Sequence, residues 1–152
     1  MTEQAKRTDL FIPALGGVYD ALTPFSWPLL RIVAGLFLMP HGYGKLFGGQ
    51  LEGIAGFFAK TGLEPALPLV VLVGVVEFFG GLMIALGLFT RPIAAAATVV
   101  LAVAAFHVHW SAGFFAQQGG FEFALLWAVV TLVIAIRGGG DYSIDARIGK
   151  EF

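Results

Sequence analysis

The chain has 152 residues, 58% hydrophobic and only 12% charged, with a net charge of −1. Soluble domains carry about 25% charged residues, so this composition, with a mean hydropathy of +0.86, places the chain among membrane proteins; its nine Lys and Arg give no basic face for a nucleic acid. The absence of cysteine excludes disulfides, thiolate catalysis and cysteine-ligated Fe–S or zinc, so redox chemistry would need a bound cofactor, a substrate or another subunit.

The polar start, MTEQAKRTDL, lacks the apolar stretch of a signal peptide. Leu10 to Leu22 mixes apolar residues with Asp9, Asp20 and two glycines, as an interfacial segment would. Residues 1–26 are therefore expected to form an N-terminus with an interfacial part. A spanning helix needs roughly 20 mostly apolar residues. Four segments are assigned on that basis, at about 27–47, 66–89, 92–110 and 121–136, the last of them short. Prolines 28, 65, 68 and 92 sit near the proposed starts. Glycine pairs and the triplet at 138–140 mark the breaks. Between the first two spans, Leu51, Ile54, Phe57 and Phe58 follow helical spacing, with Glu52 and Lys60 off that face, which predicts a surface amphipathic helix. Residues 138–152 form a tail, where Ser143 and Asp145 are placed to cap a short turn. The fold class is all-α: a four-transmembrane-helix bundle, residues 27–137, with short interfacial helices.

Positive charge orients such a bundle. Lys6, Arg7, Arg31, Arg91, Arg137, Arg147 and Lys150 fall on the side of the termini, and only Lys45 and Lys60 fall on the other. Both termini are thus expected in the cytoplasm.

Ionisable groups within spans are costly, on the order of 3 kcal/mol at a helix centre, and so tend to face the bundle interior and pair. Glu77 lies near the middle of the second span, on a face continued by Gly80, Gly81 and Ile84 that lets another helix approach closely. In the first span Arg31, Gly35, Leu38, Gly42 and Lys45 share a face, with His41 at its edge. Arg31, His41 and Lys45 are each candidates to reach Glu77, and spacing does not choose among them. His109 is expected to point into the bundle and His107 elsewhere. Glu122 opens the fourth span, where a carboxylate also complements the helix dipole. No HxxxH or ExxH pair lies within one helix, so no metal site is expected. No phosphate loop, dinucleotide fingerprint or nucleophile elbow occurs.

Five stretches, LLRIVAGLFLMPHGYGKLFG, FFAKTGLEP, VVEFFGGLMIALGLFTR, HVHWSAGFFAQQGGFEFALL and GGGDYSIDARIG, stand in an order and spacing that resembles the DoxX family of small bacterial membrane proteins. The resemblance runs from Trp27 to Gly149. The family pattern falls on Arg31, His41, Gly42, Lys45, Glu77, Gly80, Gly81, His109, Gly120, Glu122 and Asp145. It implies a four-helix bundle without a cofactor motif of its own, and a role beside membrane oxidoreductases, some of them quinone-dependent.

The leading expectation is a quinone-interacting subunit of a membrane redox complex. Glu77, His109 and His41 would transfer protons. Lys45, Glu122, Arg31 and Trp110 would bind or support the ligand. Arg31 would stabilise the Glu77 carboxylate or anchor the cytoplasmic end. No covalent cofactor is expected. The partners would be the lipid bilayer, proteins of a redox complex and, for a homo-oligomer, further copies of the chain. A non-catalytic scaffold and a small proton-coupled transporter are the alternatives.

Overall fold

A computed structural model describes residues 10–151. The sequence-stretch expectations that rest on residues 1–9, including the charges of Lys6 and Arg7, lie outside the described residues. The described chain is all-α. Its elements are α1 (Pro13–Leu46), α2 (Leu51–Lys60), α3 (Ala66–Leu86), α4 (Thr90–Val108), α5 (Glu122–Arg137) and α6 (Ile144–Ile148). Three of them, α1, α3 and α4, are long and apolar enough to cross a membrane. At 1.5 Å per residue α5, with 16 residues, is about 24 Å long, short of a hydrocarbon core of about 30 Å.

The first helix begins before the expected start of the span at Trp27. It opens with a turn of tight 3-10 helix at Pro13–Leu15 and runs unbroken to Leu46, through Pro24, Pro28 and Pro40. Proline removes one backbone donor but need not end a helix whose freed carbonyls find other partners. The segment assigned to the interface is thus continuous with the first span. The other breaks follow local chemistry. Gly87 ends α3 in the left-handed region at φ 72°, which glycine adopts without steric cost.

Two helix pairs make the body. In the first, α1 packs on α3, and α2 leans on the same helix. The faces predicted from spacing do meet: a Cβ on Gly35 would strike the Gly81 carbonyl, and one on Gly42 would strike Phe78 N and sit 2.6 Å from the Gly74 carbonyl. Glycine is what lets these backbones come so close. In the second pair α4 packs on α5, burying Ala94, Ala97 and Ala105 of one and Ala124 and Ala128 of the other. A hydroxyl contact, Thr98 to Thr131 at 3.0 Å, crosses between them. The pairs join around Trp27, Ala34, Leu38, Ile84, Ala94, Ala97 and Ile134.

The outer surface is apolar. Leu29, Phe37, Leu72, Val99, Leu126 and Ile136 are each more than half exposed. In water this much exposed apolar area would favour association, whereas a bilayer accommodates it.

The tail Gly138–Glu151 folds back under the ends of the helices. Ser143 caps α6 by accepting from Ala146 N at 3.0 Å, as its position suggests. Trp27 Nε1 donates to the Gly138 carbonyl at 3.1 Å, and the Arg137 guanidinium lies 4.3 Å over the Trp27 ring.

Candidate functional site

Both longer helices of the site are locally underwound into the looser π form, α3 at Val76–Gly80 and α4 at Ala104–Val108. Such segments shift the register of the side chains that follow and recur at functional sites. In α3 the π segment carries Glu77 at the α1 face. There Lys45 Nζ donates to Glu77 Oε2 at 2.6 Å, with both side chains about nine-tenths buried. Lys45 Nζ also donates to the His41 carbonyl at 3.2 Å. Of the three cations that spacing left open, Lys45 is thus the one that reaches the carboxylate. Among the described residues no second donor reaches it, so one carboxylate oxygen keeps its hydrogen-bonding capacity.

Beside this pair lies a cavity of about 510 Å³, lined by residues of α1 to α5. His41, Lys45, Glu77 and His109 border it. The rest of the lining is apolar, including Leu38, Phe58, Leu69, Val73, Leu101 and Trp127. The His109 Nδ1 lies 2.8 Å from the Gly119 carbonyl. A carbonyl only accepts, so Nδ1 carries the hydrogen, and in the neutral ring Nε2 is left as an acceptor. A second pocket of about 190 Å³, formed with Ala116, Gly119 and Gly120, shares His109, Phe123 and Ala124 with the main cavity, so His109 stands between the two. His107 points elsewhere, with Nε2 2.8 Å from the Thr61 carbonyl just beyond α2.

The remaining expected site residues stand apart from the cavity. Trp110 stacks on Phe121 with ring centroids 4.6 Å apart. Glu122 occupies the first turn of α5, the position where a carboxylate complements the helix dipole. Arg31 lies fourteen residues before Lys45 on α1, about 21 Å away along the axis, and does not reach Glu77. It is 1% exposed, and its two terminal nitrogens donate to the carbonyls of Ile84 (2.6 Å), Ala85 (2.8 Å) and Tyr142 (2.8 Å). It thereby closes the C-terminus of α3, where a cation complements the helix dipole. The anchoring alternative describes its geometry.

Spacing did not reveal the partner of this anchor. Asp145, also 1% exposed, accepts from Phe89 N and Thr90 N at 2.9 Å each and from Thr90 Oγ1 at 2.6 Å. It caps α4 from the far end of the chain. Burial alone would raise its carboxyl, but the hydrogen bonds from Thr90 and Phe89, with Arg31 nearby, outweigh burial and hold it below the ordinary carboxylate range. The available signal was a helix start at Thr90 without a local capping carboxylate, which names a need but no partner.

Comparisons with known proteins identify relatives of the chain. A protein of Haemophilus influenzae, named only "Uncharacterized protein", is 30% identical over 131 residues, covering 84% of this chain and 94% of the relative. A Bacillus subtilis protein named "Putative oxidoreductase CatD" is 29% identical over 122 residues, covering 80% of this chain and 86% of its own length. No solved structure matches the chain. The DoxX family model matches residues 26–110, a stretch that contains Arg31, the glycines of the α1–α3 contact, the Lys45–Glu77 pair, His107 and His109. The chain belongs to the DoxX family.

Proposed function

We propose that this protein is a four-span bacterial inner-membrane protein, with both termini cytoplasmic, whose cavity binds a quinone as part of a membrane redox complex. The observation that carries this reading is the buried Lys45–Glu77 pair set into the wall of an otherwise apolar cavity. The apolar lining suits a lipid-soluble ring, and the few polar groups suit its oxygens. The name of the Bacillus subtilis relative supports the redox side of the reading. In this reading α5 is the fourth span, its short length made up by the loop before it and the glycines after it.

The residues divide the work by chemistry. The Lys45 ammonium donates to a ring carbonyl. Glu77 and His109 give protons as the ring takes two electrons, and accept them in the reverse direction. His41, exposed at the edge of the site, exchanges protons with the surroundings. The chain has no cysteine, and a partner subunit supplies or takes the electrons.

The test is Glu77→Gln, which keeps shape and removes the titrating group. Quinone-coupled oxidation in membranes of cells complemented with this variant is expected to fall on the order of a hundredfold, the scale of losing a positioned acid–base group, while the purified variant still folds. Unchanged turnover would overturn the proposal.

A further inference from the structure

The cavity is longer than its polar end. Along α4 its lining runs from Val99 to Val108, about 14 Å of helix. The polar groups fill one part, and the remainder is aliphatic. Residues that both line the cavity and face outward mark its mouths. Besides the exposed His41 and Phe57, on α1 and α2, they fall on two flanks. Between α1 and α5 stand Phe37 and Trp127, whose rings meet at 5.5 Å, with Phe123 6.1 Å from the same indole. That flank is closed by aromatic contact. Between α3 and α4 stand Leu72, Val99 and Val103, which line the cavity and are 57%, 63% and 39% exposed. This flank is the seam between the two helix pairs: the first half of α3 packs on α1 and α2, while α4 packs on α5. Above it, Ile54, Phe57 and Phe58 of α2 also line the cavity, and the His107–Thr61 contact ties the end of that helix to α4.

We infer that the ligand's apolar tail leaves the cavity between α3 and α4, across Leu72, Val99 and Val103, so that the site selects a ring carrying a long isoprenoid tail over the same ring without one. This rests on the reading of the cavity as a quinone site, and adds to it the exit route and the residues that set tail selectivity. The physical basis is continuity. The aliphatic part of the cavity runs to a lipid-facing seam with no charged side chain in it, so a tail can lie half in protein and half in hydrocarbon without stranding a polar group.

The experiment measures binding of a benzoquinone and a naphthoquinone, each with and without a long isoprenoid tail, to the full chain in lipid nanodiscs. The variants are Val99→Trp with Val103→Trp, which fill the seam, and Val129→Trp, an equally bulky change at an exposed α5 position that does not line the cavity. The unmodified protein and Val129→Trp are expected to prefer the tailed quinone. The seam variant is expected to lose on the order of tenfold or more in affinity for it, while its affinity for the tail-less ring stays within about twofold. Loss of neither, or equal loss of both, would overturn the inference and leave the quinone reading standing. An unmodified protein that binds no quinone of either kind would overturn both.

Discussion

Two buried charge clusters lie at opposite ends of the α1–α3 pair, and they are built differently. At the tail end Arg31 and Asp145 are each 1% exposed and surrounded by backbone: three carbonyls take the guanidinium, and two amides and a hydroxyl serve the carboxylate. Neither lines the cavity at the other end. At the other end Lys45 and Glu77 hold one another through a single contact and face an apolar space of about 510 Å³. The difference teaches how to read ionisable residues in apolar helices. A charge enclosed by backbone donors and acceptors, away from the cavity, fixes the fold. A charge with one partner and an open side retains capacity for chemistry.

That contrast can be broken by substitution, and the largest effect belongs to the tail end. Arg31→Ala leaves three carbonyls and the buried Asp145 charge uncompensated. We expect a loss of about 3–5 kcal/mol in unfolding experiments in detergent, the scale of breaking a buried charge network, with ligand affinity unchanged in whatever folds. Asp145→Ala is expected to cost about 2–3 kcal/mol, because it strips the cap from α4 and orphans the Thr90 hydroxyl. A variant of either kind that kept its stability but lost ligand would reverse the assignment of the two clusters.

Packing between the clusters gives the next effect. A methyl group on Gly42 must displace the α3 backbone at Gly74 and Phe78. Gly42→Ala is therefore expected to destabilise by about 1–3 kcal/mol, and to lower ligand affinity as well, because α1 carries Lys45 just beyond this contact. Thermal denaturation and quinone titration of the same sample would separate the two losses.

Asp145 also predicts a pH dependence. Its folded-state carboxyl lies below the ordinary range, so it contributes stability that is fully present above the unfolded pKa and is lost as pH falls through the folded one. The melting temperature is expected to drop as pH is lowered below about 4, and Asp145→Asn is expected to flatten that part of the profile. The smallest effect is assigned to His107→Ala, which removes one side-chain contact to the Thr61 carbonyl at an exposed position. It should cost about 1 kcal/mol or less, and hydrogen exchange in α2 should rise.

Periodicity made much of the helix packing legible in advance. The faces Arg31–Gly35–Leu38–Gly42–Lys45 and Glu77–Gly81–Ile84 follow from three- and four-residue steps and meet, whereas Gly80, expected on the same face, packs on Ile93 of α4. Their pairing register was not legible. Spacing places a residue on a face but does not set one helix's height against another's, so the choice among Arg31, His41 and Lys45 as partner for Glu77 needed coordinates. The tail's contribution was hidden for a related reason. Asp145 caps Thr90 across 55 positions of sequence, and a local pattern has no term for a cap supplied from that far. The π segments at Val76–Gly80 and Ala104–Val108 displace side chains from the 3.6-residue grid on which the spacing argument depends. Proline was read as a start signal, and α1 instead carries Pro24, Pro28 and Pro40 inside the helix.

The most direct measurement of the central claim is mass spectrometry of the lipids extracted from gently purified protein, set beside an unrelated membrane protein from the same cells. The account predicts quinone near one per chain, lost in Glu77→Gln and His109→Ala but retained in Asp145→Asn. Quinone no higher than in the unrelated protein would contradict it.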